Sequence, residues 1–216
     1  MSPRLTTPIP ADRGTVRWWA VASAAVAPFV LVGGWTVAAG RQPPGYNPVR
    51  DTISSLAARG ASDRWLMTAA LVAVGVCYVV TGAGLRPART AGRIALMGGG
   101  IATVMVAAFP QPVRGNGVAH TIAATIAFAA LAIWPVLAVR RRSGVPVLSV
   151  AAAISATAVM VGFLAWFTLE IHGSHRGVAE RGAALAEVAW PLVMAVGARH
   201  TELARRPPPL WAPRAA

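Results

Sequence analysis

The groups able to do chemistry are few, and they are bunched. "RDTISSLAARG" (Arg50–Gly60) carries Asp51, Ser54 and Ser55 at i, i+3 and i+4. A helix through this stretch would put a carboxylate and two hydroxyls on one face. "EIHGSHRGVAERGA" carries Glu170, His172, His175, Arg176, Glu180 and Arg181, and His120 stands alone in "AHTIAA". A serine beside a carboxylate and an imidazole suits hydrolysis, so Asp51, Ser54, Ser55 and His120 are the candidate catalytic groups. Imidazole also binds metals and titrates near neutrality. His120, His172 and His175 are therefore the candidate metal ligands, with zinc as the metal, although neither HExxH nor CxxC is present. Arg50, Glu170, Glu180 and Arg181 form a candidate cluster of paired charges. GxSxG, Walker and dinucleotide patterns are absent, and no cofactor is expected beyond that zinc option.

These residues punctuate an apolar chain. Of 216 residues, 56% are hydrophobic and only 12% charged, against about 25% in soluble domains. All 20 basic residues are arginine, and they lie in short gaps between apolar runs and in the tails. A nucleic-acid binder would gather them on one soluble face with interleaved aromatics, so nucleic acid is not an expected partner. The single cysteine, Cys77, excludes an internal disulfide.

A membrane helix needs about 20 mainly apolar residues. Six such runs are read: 18–39, 65–85, 94–109, 118–139, 145–169 and 178–198, the third being short. The predicted fold class is all-α, a polytopic bundle of six transmembrane helices spanning 14–200. Residues 1–13 and the Pro/Arg-rich 201–216 are expected to be disordered cytoplasmic ends.

Arginine sets the orientation. Arg4, Arg13, Arg17, Arg86, Arg89, Arg93, Arg140, Arg141, Arg142, Arg199, Arg205, Arg206 and Arg214 fall on one side, and the other seven on the opposite side. The positive-inside rule then places both termini in the cytoplasm, in a plasma membrane. Asp51, Glu170, Glu180, His120, His172 and His175 all segregate to the outer side. Arg181 opens the last span, where the helix dipole disfavours a cation, so it is expected to pair with a carboxylate or phosphate. Glu187 lies two turns deeper.

Between the first two spans, "GYNPVRDTISSLAARG" reads as a short interfacial helix, with Asn47 as cap, Pro48 in the first turn and Gly60 at the end. Val49, Ile53, Leu56 and Ala57 would share its buried face, and Asp51, Ser54 and Ser55 would turn toward His120. The "GGG" at 98–100 lies within a span, where small residues allow helices to approach closely. "AIWPVLAVR" and "VAWPLVMAVGAR" place Trp-Pro at equivalent depths in two spans.

The chain resembles the domain of unknown function 998 family of six-helix bacterial and archaeal membrane proteins. "DTISSLAARG", the proline-containing loop leading to "AHTIAA", and "GVAERGAALAEVAWP" carry the resemblance over roughly residues 15–200. It implies a six-span bundle, with Ser54, Ser55, His120, Glu180 and Arg181 in the recurring outer motifs, and no established activity. The outer Ser/Asp/His set is also similar to intramembrane hydrolases of the ceramidase and receptor type. Those have seven spans and paired helix histidines, which this chain lacks. The expected function is a non-enzymatic membrane protein that organises lipid, a membrane-protein partner or a second copy of itself through its outer polar loops. The alternatives are a membrane hydrolase acting on a lipid-like substrate, and a small proton-coupled transporter using Glu187 and His120.

Overall fold

The computed structural model describes residues 14–113, 117–141 and 143–205. Of the expected disordered ends, 1–13 and 206–216 lie outside the described residues, as do Arg114 and Arg142, whereas 201–204 continue the last helix. Among the described residues the protein is all-helical. The elements are α1 (Trp18–Ala39), α2 (Ile53–Leu56), α3 (Trp65–Gly84), α4 (Thr90–Ala108), α5 (Val118–Leu137), α6 (Val150–Leu169) and α7 (Arg176–Ala204). All but α2 are long and apolar enough to cross a membrane. The chain is a multi-pass membrane protein.

Helices α1, α3, α4 and α5 pack in that order; α6 follows α5, and α7 returns to α6 and α1 to close the bundle. One end, here the loop face, carries 40–64, 109–113 and 170–175. The other, here the termini face, carries the start of α1 and the end of α7. There Val16 pairs with Leu85 in an isolated bridge. The Val16 N–H donates to Glu202 Oε1 at 2.9 Å, and Arg199 Nη1 donates to the Val16 carbonyl at 3.1 Å.

Three span starts differ from the hydropathy reading, each because a polar group has a backbone partner. α4 starts at Thr90 rather than 94. Arg93 turns back to the end of α3, donating to the carbonyls of Gly82 and Ala83, both at 2.8 Å. Those carbonyls have no partner within their own helix, so a guanidinium is well placed there. The third span is thus a full 19 residues. α6 starts at Val150, capped by Ser149 Oγ, which accepts from Ala152 N at 3.2 Å; a 3₁₀ turn, Pro146–Leu148, precedes it. α7 starts at Arg176, not 178, and runs on to Ala204.

Helices α3 and α4 meet backbone to backbone. A Cβ on Gly100 would lie 2.5 Å from the Gly75 carbonyl oxygen, and one on Gly75 the same distance from the Gly100 oxygen. In lipid, packing rather than the hydrophobic effect draws helices together, and only glycine permits this approach. Gly98, in the same triplet, faces open space. Gly100→Ala should therefore lower the unfolding free energy by about 1–3 kcal/mol. Gly98→Ala should be neutral or raise it by up to about 1 kcal/mol through helix propensity. Reversible unfolding in mixed micelles separates the two, and equal stabilities would contradict the close contact.

Candidate functional site

The site is built on a stretch of backbone that forms little regular structure. The Asn47 carbonyl accepts the N–H groups of Arg50 at 3.0 Å and Asp51 at 2.7 Å, and Asn47 Oδ1 accepts that of Val49 at 2.9 Å. Asp51 Oδ2 closes this turn on Asn47 N at 2.8 Å, and Asp51 Oδ1 lies 3.4 Å from Arg50 Nε. Thr52 is then extended and starts α2, its Oγ1 accepting Ser55 N at 3.1 Å. The single helix expected from Asn47 is thus a turn followed by one helical turn. Thr52, a residue type well suited to capping, takes the role assigned to Asn47. Ile53, Leu56 and Ala57 are buried as expected, whereas Val49 is exposed because it belongs to the turn.

This break leaves the carbonyls of Pro48, Val49, Arg50 and Asp51, and the N–H groups of Ile53 and Ser54, without helical partners. α7 supplies both kinds. The N–H groups of Gly177 and Val178 donate to the Val49 carbonyl at 2.9 and 3.1 Å, which also occupies two N–H groups at the start of α7. Arg176 Nε donates to the Arg50 carbonyl at 2.9 Å. Arg181 Nη1 donates to the carbonyls of Pro48 at 2.7 Å and Asp51 at 2.8 Å, and its Nη2 to the Tyr46 hydroxyl at 2.7 Å. Glu180, only 4% exposed, takes the donors: Oε2 accepts Ile53 N, and Oε1 accepts Ser54 Oγ at 2.8 Å. A carboxylate and a guanidinium adjacent in sequence thereby satisfy the two polarities of one backbone segment.

Arg181 therefore does not use the carboxylate partner expected for it. Several carbonyl dipoles and a phenol replace one full negative charge. Burial raises the Tyr46 phenol above its ordinary value despite the Arg181 guanidinium beside it. Burial also acts to raise Asp51, but the Asn47 N–H and Arg50 outweigh it and hold the carboxyl below its ordinary value.

Beside this clamp lies a cavity of about 650 Å³ between α5, α6, α2 and the start of α7. Ser54, Ser55, His120, Arg176 and Glu180 all line it. Its wall also holds Phe128 and Phe167, whose ring centroids are 5.9 Å apart. His120 is buried, with Nδ1 3.0 Å from the Phe109 carbonyl; as the tautomer that donates this bond, it leaves Nε2 as an acceptor. Ser55 Oγ donates to the Thr52 carbonyl at 2.6 Å. Asp51, Arg50 and Arg181 stand outside the cavity, in the clamp. Glu170 closes the α6–α7 turn, accepting His175 N at 3.0 Å, with His175 Nδ1 3.8 Å from its Oε2. His172 is exposed in the same turn. Among the described residues, no three His, Cys, Asp or Glu groups come together as a metal site. Tyr46, Thr52 and Gly177 were not singled out from the sequence. Only Thr52 carries a local signal, its capping chemistry before "ISSL".

The chain matches the family described as Protein of unknown function (DUF998) over residues 12–197. It belongs to that family. No curated protein and no solved structure matches it. The DUF998 match takes in the whole 46–54 segment and the α7 residues that hold it.

Gly177 shows how tight the clamp is. A Cβ there would lie 2.5 Å from the Asp51 carbonyl oxygen and 2.6 Å from that of Pro48. Gly177→Ala should reduce stability by about 1–3 kcal/mol, although the same change in a free helix would be favourable. Thermal unfolding in detergent checks it, and an unchanged or raised midpoint would contradict the docking.

Proposed function

We propose that the protein sits in the plasma membrane with both termini in the cytoplasm. There it organises lipid without chemistry, holding one outer-leaflet amphiphile in the cavity beside α5. The observation that carries this reading is the composition of the cavity wall along its depth. Near the loop face it offers Ser55, Gln111, His120 and Arg176; Phe128, midway along α5, extends it inward, and Leu164 and Phe167 of α6 complete the apolar wall. Thr125 and Ala129 on α5 and Thr168 on α6 line it and are also exposed, so it opens through the flank of the bundle, where lipid lies. A guanidinium and an imidazole above an aromatic slot suit a phosphate headgroup above an acyl chain. The orientation rests on the arginine asymmetry.

Hydrolysis at Ser54 is the second reading, favoured by the 2.8 Å contact between Ser54 Oγ and Glu180 in the cavity wall. Against it, Glu180 is engaged as the acceptor of Ile53 N, and among the described residues no hydrogen bond joins His120 to either serine.

Two experiments test the reading. With Cys77 replaced by Ala, a cysteine at Gly45 should react with an impermeant maleimide on intact cells and one at Thr90 should not; the reverse would overturn the orientation. Protein from vesicles of phosphatidylglycerol and phosphatidylethanolamine should keep a phospholipid in native mass spectrometry. Ala129→Trp, which fills the cavity, and Arg176→Gln should reduce that retention. Unchanged retention in both variants would contradict lipid holding. Fatty-acid release that Ser54→Ala abolishes would establish the hydrolase instead.

A further inference from the structure

Glu187 has no part in the clamp. It lies on α7 two turns below Glu180, is 2% exposed, and its Oε1 has no hydrogen-bond partner among the described residues. A carboxyl at this depth is expensive unless neutralised, so it marks a functional position by default. It lines a second, central cavity of about 70 Å³, walled by Leu31 of α1, Tyr78 of α3, Thr103 of α4, Leu131 of α5 and Glu187 itself. One water needs about 10–15 Å³ of such space, so the cavity has room for a few. A water there would find polar partners. Oε1 is unpartnered, and Thr103 donates its proton to the Gly99 carbonyl at 2.9 Å, leaving its oxygen as an acceptor.

The two Trp-Pro dipeptides add to this. Pro135 and Pro191 lie inside α5 and α7. Proline has no N–H, so the carbonyls four residues earlier, those of Leu131 and Glu187, lack the regular helical bond. Both residues line the central cavity. Broken helical hydrogen bonding within a membrane is tolerated where it is buried in protein or meets water, and here it coincides with the orphan carboxyl.

The central cavity is not isolated. It shares Ser54, Ala124, Phe128 and Glu180 with the cavity beside α5. The titratable groups in its wall are Tyr78 from α3 and Glu180 and Glu187 from α7; α1, α2, α4 and α5 contribute none, and no arginine or histidine lines it. A proton is the smallest cation able to neutralise Glu187 there.

We propose that Glu187 is a proton-exchange site at the centre of the bundle, reached from the flank cavity past the Ser54–Glu180 pair. The Glu187 O–H bond breaks and its proton passes to a cavity water. A chain of cavity waters hands a proton on to the Glu180 carboxylate, which releases one to water in the flank cavity. The reverse path restores Glu187, and no electron moves. This role does not depend on a lipid in the flank cavity.

Infrared spectroscopy of the full chain in nanodiscs tests it. The wild type should show a protonated-carboxyl C=O band that shifts on transfer to D₂O. Glu187→Gln, which keeps shape and removes charge, should lose that band. Ala124→Leu, which narrows the shared wall, should delay the shift. Circular dichroism confirms that each variant is folded, and Ala124→Ser, which adds no comparable bulk, replaces Ala124→Leu as the comparison if the latter unfolds; it should shift as the wild type does. A wild type without the band, a band that survives in Glu187→Gln, a band that stays unshifted for hours in D₂O, or a shift as fast in folded Ala124→Leu as in the wild type would each overturn the proposal.

Discussion

Backbone that is neither helix nor strand needs its hydrogen bonds answered by the protein wherever water is scarce, and an unanswered group costs several kcal/mol in lipid. That constraint organises this structure through one helix. At the loop face, Glu180 takes the N–H groups of the 52–54 junction while Arg181 takes the carbonyls of the preceding turn. At the termini face, Glu202 takes the Val16 N–H and Arg199 the Val16 carbonyl. Both ends of α7 thus carry an acid and an arginine that serve opposite polarities of a single irregular segment. Charged groups bonded to backbone dipoles make stronger hydrogen bonds than neutral pairs, and burial keeps Glu180 from being screened.

The placement of the candidate chemistry follows from the clamp. Once the 46–54 segment is held on α7, Ser54 and Ser55 fall into the wall of the flank cavity, opposite His120. Ile53 and Leu56 go under α2, each contributing roughly 1.5–3 kcal/mol, more than an exposed ion pair such as Arg50–Asp51 provides. Glu180 belongs to three features at once: the clamp, the flank cavity and the central cavity. Any ligand or proton that alters it therefore acts on the fixing of α2 as well.

The six spans were legible because about 20 apolar residues in a row leave few other readings. Two of the three misplaced starts arose where arginine was counted as loop; at α6 the apolar 145–148 was counted as helix, although the helix begins only after the Ser149 cap. Arg93 and Arg176 are helical, since neighbouring carbonyls accept their protons, and hydropathy has no knowledge of carbonyls. The same blindness affected the site. The segregation of Asp51, Glu170, Glu180, His120, His172 and His175 to one face could be read from the chain. The partner of Arg181 could not, because every residue has a carbonyl and nothing in sequence distinguishes those left free by a break at Thr52. Gly177 was silent for a related reason: its meaning is a contact with Pro48 and Asp51, more than 120 positions away.

The clamp depends on Glu180 holding the amides of Ile53 and Ser54. Amide hydrogen exchange in nanodiscs, read at those two residues in the wild type and in Glu180→Leu, measures this most directly. Both amides should be protected in the wild type and should exchange rapidly in the variant, while the interior of α3 stays protected in each. Equal protection of Ile53 and Ser54 in the two proteins would contradict the clamp.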